Sequence, residues 1–215
     1  MKVIVYVEGP SDKRAMEVLL AQLLERKTQQ GVQISFFEAP KGDKKESVLK
    51  RVPIRAADIV LNDPAAVVVA LPDLYPKNKG FPHETPDQLA DGVRANFEAA
   101  LKSKNAEDDG RLMQRFSVFC FKHDLEALIL AAENELKAYL GAANLTKTWH
   151  IPVEDQDHGQ PPKRVVEELF VAHDKRYKDT VDAPGILGRA DYTDIAAKCP
   201  QCFKPFVEFL EACGT

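Results

Sequence analysis

The chain contains no run approaching the ~18 consecutive apolar residues that a membrane-spanning helix needs, so nothing in it reads as a membrane segment. The opening MKVIVYV superficially resembles a secretory leader. Its apolar stretch is too short, however, and Glu8 ends it with no small-residue cleavage site. Four cysteines in 215 residues do not make a disulfide framework, which makes the cytoplasm the expected compartment. There is neither a G-x-x-x-x-G-K-[ST] loop nor a G-x-G-x-x-G turn, which argues against nucleotide hydrolysis by this chain. Nor is there an excess of positive charge. Lys and Arg number 29 against 33 Asp and Glu, a net −4, so bulk electrostatics do not coat nucleic acid, though local basic stretches can still dock phosphate. Internal repeats and low-complexity tracts are absent.

What is present is an ordinary globular composition, 45% hydrophobic and 29% charged, long enough to bury a sizeable core. Residues 2–7 (KVIVYV) are β-branched and aromatic, the signature of a buried strand, and Glu8-Gly9-Pro10 stops them abruptly. Residues 12–27 carry apolar side chains at Ala15, Met16, Leu19, Leu20, Leu23 and Leu24, a helical stripe. Further strands are expected at 32–38, at 65–71 (AAVVVAL, apolar throughout and therefore covered on both faces) and at 116–121 (FSVFCF). Between them lie a helical region interrupted at Pro53, a proline-rich loop or lid at 73–86 and a helix over 87–104. The stretch HDLEALILAAENELKAYLG predicts one strong helix ended by Gly141.

This alternation implies an α/β fold with a mostly parallel central sheet flanked by helices. The last third is irregular, then helical around 164–173, 191–198 and 205–213. The expected organisation is an α/β core over 1–140 and a helical C-terminal extension of the same domain over 141–215.

Acids recur just after the strands: Glu8 and Asp12 after the first, Asp73 after the third, Asp124 and Glu126 after the fourth. In a parallel sheet these strand ends share one edge, so the carboxylates can converge. Clustered carboxylates repel, and a divalent cation relieves that; hard oxygen ligands suit Mg²⁺ or Mn²⁺. Each acid also has a plainer reading. Asp12 and Asp124 fit the first turn of a helix, where the dipole favours acids. Glu8, between a buried strand and Gly-Pro, is harder to explain that way.

VYVEGPSDKRAMEVLL resembles the opening of the Toprim (topoisomerase–primase) fold, in which a glutamate ends the first strand and a small turn leads into a helix. More narrowly, the chain resembles the Toprim-related domain-of-unknown-function family 4276, found in bacteria. The matching pieces are VEGPSDKRAMEVLL, ALPDLYPKNKGFP, FKHDLEALIL, PPKRVVEELF, YKDTVDAPGI and CPQCFKPFVEFL, which span most of the chain in order.

The resemblance implies roles for particular residues. Glu8 would be the general acid or base near a scissile phosphate. Asp73 would match the first acid of the superfamily's Asp-x-Asp metal motif, which here reads Asp73-Leu74-Tyr75 and lacks the second acid. Glu8, Asp12, Asp73, Asp124 and Glu126 would form the metal-ligand set, the last two replacing the missing acid. Lys13, His123, Lys163 and Arg164 would face the substrate. The implied activity is Mg²⁺- or Mn²⁺-dependent cleavage of DNA or RNA, beside a separate ATPase chain in defence against phage. The alternative, favoured by Tyr75 and the negative charge, is a non-catalytic interaction or sensor subunit on the same scaffold. Lys163-Arg164 also reads as a solvated helix start, and His123 as a satisfied structural residue.

Three further features carry less. Cys199-Pro200-Gln201-Cys202 has zinc-ligand spacing without a second pair and reads first as packing. The basic run Lys41, Lys44, Lys45, Lys50, Arg51 and Arg55 is interleaved with acids and reads as a solvated face. His83 and Glu84 lie in the proline-rich loop, where they could close over a substrate.

Overall fold

Four short runs rich in Val, Ile and Phe form the sheet: Lys2–Val7 (β1), Gln33–Glu38 (β2), Ala66–Leu71 (β3) and Phe116–Val118 (β4). The computed structural model describes residues 1–75, 81–156 and 159–214. All pairings are parallel, in the order β2-β1-β3-β4. Ala66, Val68, Val69 and Ala70 of β3 are wholly buried, as an apolar strand covered on both faces should be. Each buried Val or Leu side chain contributes roughly 1.5–3 kcal/mol, so these central strands anchor the core.

The helices, in chain order, are Pro10–Leu19 (α1), Ala21–Gln29 (α2), Lys44–Glu46 (α3), Val52–Asn62 (α4), Pro86–Lys102 (α5) and Gly110–Met113 (α6). Beyond β4 come Glu126–Ala131 (α7), Glu133–Leu140 (α8), Pro162–Val171 (α9), Asp179–Leu187 (α10), Tyr192–Lys198 (α11) and Phe203–Ala212 (α12). A π-helical turn, Ser47–Arg51, runs into α4, and Pro53 sits in the first turn of α4, where its missing N–H costs nothing.

The described residues group into two compact units. The first holds Met1–Gly9, Leu24–Phe121 and the C-terminal residues from Ala212 on, and contains the whole sheet. There Phe97 of α5 stacks on Phe116 of β4 at 4.4 Å between ring centroids. The Arg115 guanidinium donates to the carbonyls of Val60, Asp63 and Ala66, tying the end of α4 to the start of β3. The second unit holds Pro10–Leu23 and Lys122–Glu211. In it α1 packs on α10 and α7 on α9, and the rings of Phe170, Phe203 and Phe206 are buried.

Three expectations need correction. The stripe over 12–27 is two helices, α1 and α2, separated at Leu20. The strand expected over 116–121 keeps ladder pairing only to Val118, and then touches β3's continuation through a single bridge between Phe121 and Asp73. The helix expected from His123 starts at Glu126 and breaks at Ala132, whose ψ of 48° leaves the helical region. Gly141 does end it, in the left-handed conformation (φ 76°) that glycine adopts without a Cβ penalty. Of the loop expected over 73–86, residues 76–80 lie outside the described residues.

Candidate functional site

β1 and β3 are the two central strands, paired from Lys2↔Ala66 to Val7↔Leu71. From β1 the chain goes to β2 on one side, and then crosses to β3 on the other. The gap beyond the carboxyl ends of β1 and β3 is therefore the topological switch point, the place where open parallel sheets bind their ligands. Glu8 follows β1 immediately, and Asp73 stands two residues past the end of β3. The Asp73 backbone N–H donates to Glu8 Oε1 at 3.0 Å. Next to it, Leu74 N–H donates to the Phe121 carbonyl at 2.6 Å, and Phe121 N–H to the Pro72 carbonyl at 3.0 Å. The turn that presents Asp73 is thus held by the backbone on one side and by the Glu8 carboxylate on the other.

The second unit carries its own constellation. Glu126, the first residue of α7, is 2% exposed. Burial, with the Asp124 carboxylate beside it, pushes its carboxyl up to about 7, against the pull of the Lys163 ammonium, a backbone N–H and the Tyr177 hydroxyl. Burial alone would lower Lys163. The carboxylates of Glu126, Asp124, Asp179 and Glu167 outweigh it, so the net shift is upward. The Tyr177 hydroxyl is out of reach of solvent and faces Glu126. Burial and the Glu126 charge both push its phenol upward. Asp124 precedes α7 and does not sit in its first turn; its carbonyl accepts from Ala127 N–H at 3.0 Å.

The remaining expected residues have more ordinary settings. Asp12 lies in the first turn of α1, where an acid complements the helix dipole. Lys13 stands 4.0 Å from Glu17 one turn on, and exposed Arg164 bonds Glu168 at 3.0 Å; both are surface i,i+4 pairs. His123 is buried. Lys163 follows Pro162 in the first turn of α9. His83 is also buried, its Nδ1 3.0 Å from the Phe81 carbonyl, and Glu84 is exposed.

Among the described residues, no group of three or more His, Cys, Asp or Glu side chains is gathered to hold a metal ion. The first unit instead sets the Glu8 carboxylate on the backbone N–H of Asp73, and the second sets the Asp124 carboxylate beside that of Glu126. Such pairs fit Mg²⁺ as it is commonly bound, through one or two carboxylates with several waters kept and the sphere completed by substrate phosphate. They do not make an all-protein cage.

All four cysteines are buried thiols outside any disulfide. Burial, with the nearby Glu154 charge, pushes the Cys199 thiol well up, which opposes the thiolate a zinc site needs. Glu154 is 3% exposed, and its carboxylate accepts from the N–H groups of Gln201, Cys202 and Phe203 at 2.6, 2.7 and 3.2 Å. The Cys-x-x-Cys turn is thus the capped start of α12.

Sequence reasoning missed Tyr177, in an extended stretch, Glu154, in a short 3-10 turn, and Asp179, which opens α10, because what marks them is their neighbours in space and not a local pattern. It also read Lys45 as solvated, and Lys45 is buried.

The family described as Domain of unknown function (DUF4276) matches residues 7–211. No curated protein matches the chain. Among solved structures, the chain is similar to the C-terminal region of the Burkholderia pseudomallei OLD protein. The two share 14% identity over 99% of this chain and 98% of that one, with a TM-score of 0.48.

Proposed function

The chain belongs to the DUF4276 family, and from the carboxylates at its switch point we propose that it is a Toprim-like, Mg²⁺- or Mn²⁺-dependent nuclease. The observation that carries this reading is the Glu8–Asp73 pair, brought together over 65 residues of sequence at the edge where parallel sheets bind ligands. The resemblance of VYVEGPSD to the Toprim opening supports it.

Phosphodiester cleavage needs an activated nucleophile and relief of the charge that builds on the attacking and leaving oxygens. Glu8 is the acid–base group: the Asp73 N–H on one oxygen fixes the carboxylate's orientation, so its proton-transfer geometry is set before substrate arrives. Asp73, with Glu8, would hold the ion in the first unit; Asp124 and Glu126 would do so in the second. The ion, when bound, supplies Lewis-acid stabilisation of the phosphate oxygens. Lys163, kept cationic by its four neighbouring carboxylates, is suited to meet a phosphate. Lys13, His123 and Arg164 contribute less to this reading, given their settings. The substrate is a nucleic acid, and the energy-coupling ATPase of a phage-defence system would be a separate chain.

One observation favours a second reading, a non-catalytic interaction or sensor subunit. Tyr75 stands where the motif's second acid would. Incubating plasmid, single-stranded DNA and bulk tRNA with the protein in Mg²⁺ or Mn²⁺ separates the two. Metal-dependent products that EDTA abolishes support the nuclease. Intact substrates, with a melting temperature that neither ion raises, support the scaffold.

A further inference from the structure

Lysine is almost never fully buried unless its ammonium is matched by a specific partner. Of the basic run between Lys41 and Arg55, five members behave as surface residues; Lys50, for example, pairs with Glu46 at 2.7 Å. Lys45 does not. It is 7% exposed, and its Nζ donates to the Leu74 carbonyl at 2.8 Å. Its placement is built locally. Asp43 caps the short helix α3 by accepting from Glu46 N–H at 3.0 Å, and the Ser47 hydroxyl donates to the Pro40 carbonyl. Both contacts fix the loop that leaves β2 at the same sheet edge as Glu8 and Asp73.

We propose that Lys45 is a positioning residue for the Glu8–Asp73 pair: its buried ammonium clamps the Leu74 carbonyl and so sets the turn from which the Asp73 carboxylate leaves the backbone. Three restraints then converge on two consecutive residues: Glu8 on Asp73 N–H, Phe121 on Leu74 N–H, and Lys45 on Leu74 C=O. As a metal-site inference this rests on the nuclease reading, although the clamp itself does not.

The test compares wild type with Lys45→Met, which keeps the stem and removes the charge and donors, and Lys45→Arg, which keeps both. Amide hydrogen exchange is followed in the metal-free proteins, and Mn²⁺ binding is titrated by water-proton relaxation. For Lys45→Met the expected result is exchange at Leu74 faster by about tenfold or more, other sheet amides unchanged, and Mn²⁺ affinity lower by about 10–100-fold. Lys45→Arg should recover part of both. Leu74 exchange that stays at the wild-type rate, or that rises only in step with the whole sheet, would overturn the proposal. So would an unchanged Mn²⁺ affinity beside a lowered melting temperature, which marks a purely structural lysine. If Lys45→Met does not fold, Lys45→Gln takes its place with the same readouts. Should the wild type bind no Mn²⁺, the nuclease reading fails, while the exchange comparison still decides whether Lys45 clamps the turn.

Discussion

Glu8 accepts a hydrogen bond from the backbone N–H of Asp73 at 3.0 Å, so one acid of the candidate site orients the strand end that carries the other. The carboxyl end of β1 and the continuation of β3 are therefore a single device. Changing Glu8 disturbs both a reacting group and the turn beside it. For that reason the informative substitution is Glu8→Gln, which keeps an oxygen acceptor for the Asp73 N–H and removes the carboxylate.

Glu126 gives the second unit a stability that depends on pH. Its folded-state pKa, raised to about 7 from an ordinary 4.5 mainly by burial, means that the folded chain keeps a proton the unfolded chain has lost. The stability this provides is fully present below 4.5 and is lost as pH rises to about 7, by roughly 1.4 kcal/mol per unit through that window. Urea unfolding in EDTA at pH 5 and pH 8 should show the wild type weaker at pH 8 and Glu126→Gln nearly flat. Equal pH dependence in both proteins would remove Glu126 as the cause. Lys163→Met should push the upper end of the window higher, because the Lys163 cation opposes the shift in the folded state.

Glu154 should matter for stability. Its carboxylate serves the three N–H groups that open α12, and replacing it by leucine leaves those of Cys202 and Phe203 buried without an acceptor. Each unsatisfied buried donor costs about 1–3 kcal/mol, and each kcal/mol lowers Tm by roughly 2–4 °C at this size. Glu154→Leu is expected to melt at least several degrees below wild type by calorimetry. A change of under a degree would contradict the cap.

The Cys199/Cys202 turn is expected to carry no zinc. Elemental analysis of protein purified without chelator should give well under one zinc per chain, and added chelator should leave Tm unchanged. Stoichiometric zinc, lost together with stability on chelation, would show that the raised Cys199 thiol does deprotonate for a metal.

The strands were legible because burial on both faces leaves an unmistakable record: 65–71 reads AAVVVAL, and β3 runs Ala66–Leu71. The acids after β1 and β3 were legible for the same reason, as interruptions of apolar runs. Helix breaks at Leu20 and Ala132 were not, since both fall within continuous apolar stripes that periodicity cannot tell from one long helix. Lys45 and Tyr177 were invisible because what marks them is burial through contacts distant in sequence. Lys45 meets Leu74, 29 residues away, and Tyr177 meets Glu126. Neither neighbourhood leaves any trace in local composition.

The central claim is that Glu8 performs proton transfer at a metal-dependent phosphodiester-cleaving site. It is tested most directly by the initial rate of Mn²⁺-dependent cleavage of whichever nucleic acid the wild type accepts, measured side by side for wild type and Glu8→Gln, with circular dichroism melts confirming that both are folded. A rate lower by about 10²–10⁴-fold in a variant that melts within a few degrees of wild type is the predicted result. A Glu8→Gln protein that cleaves at the wild-type rate would contradict it.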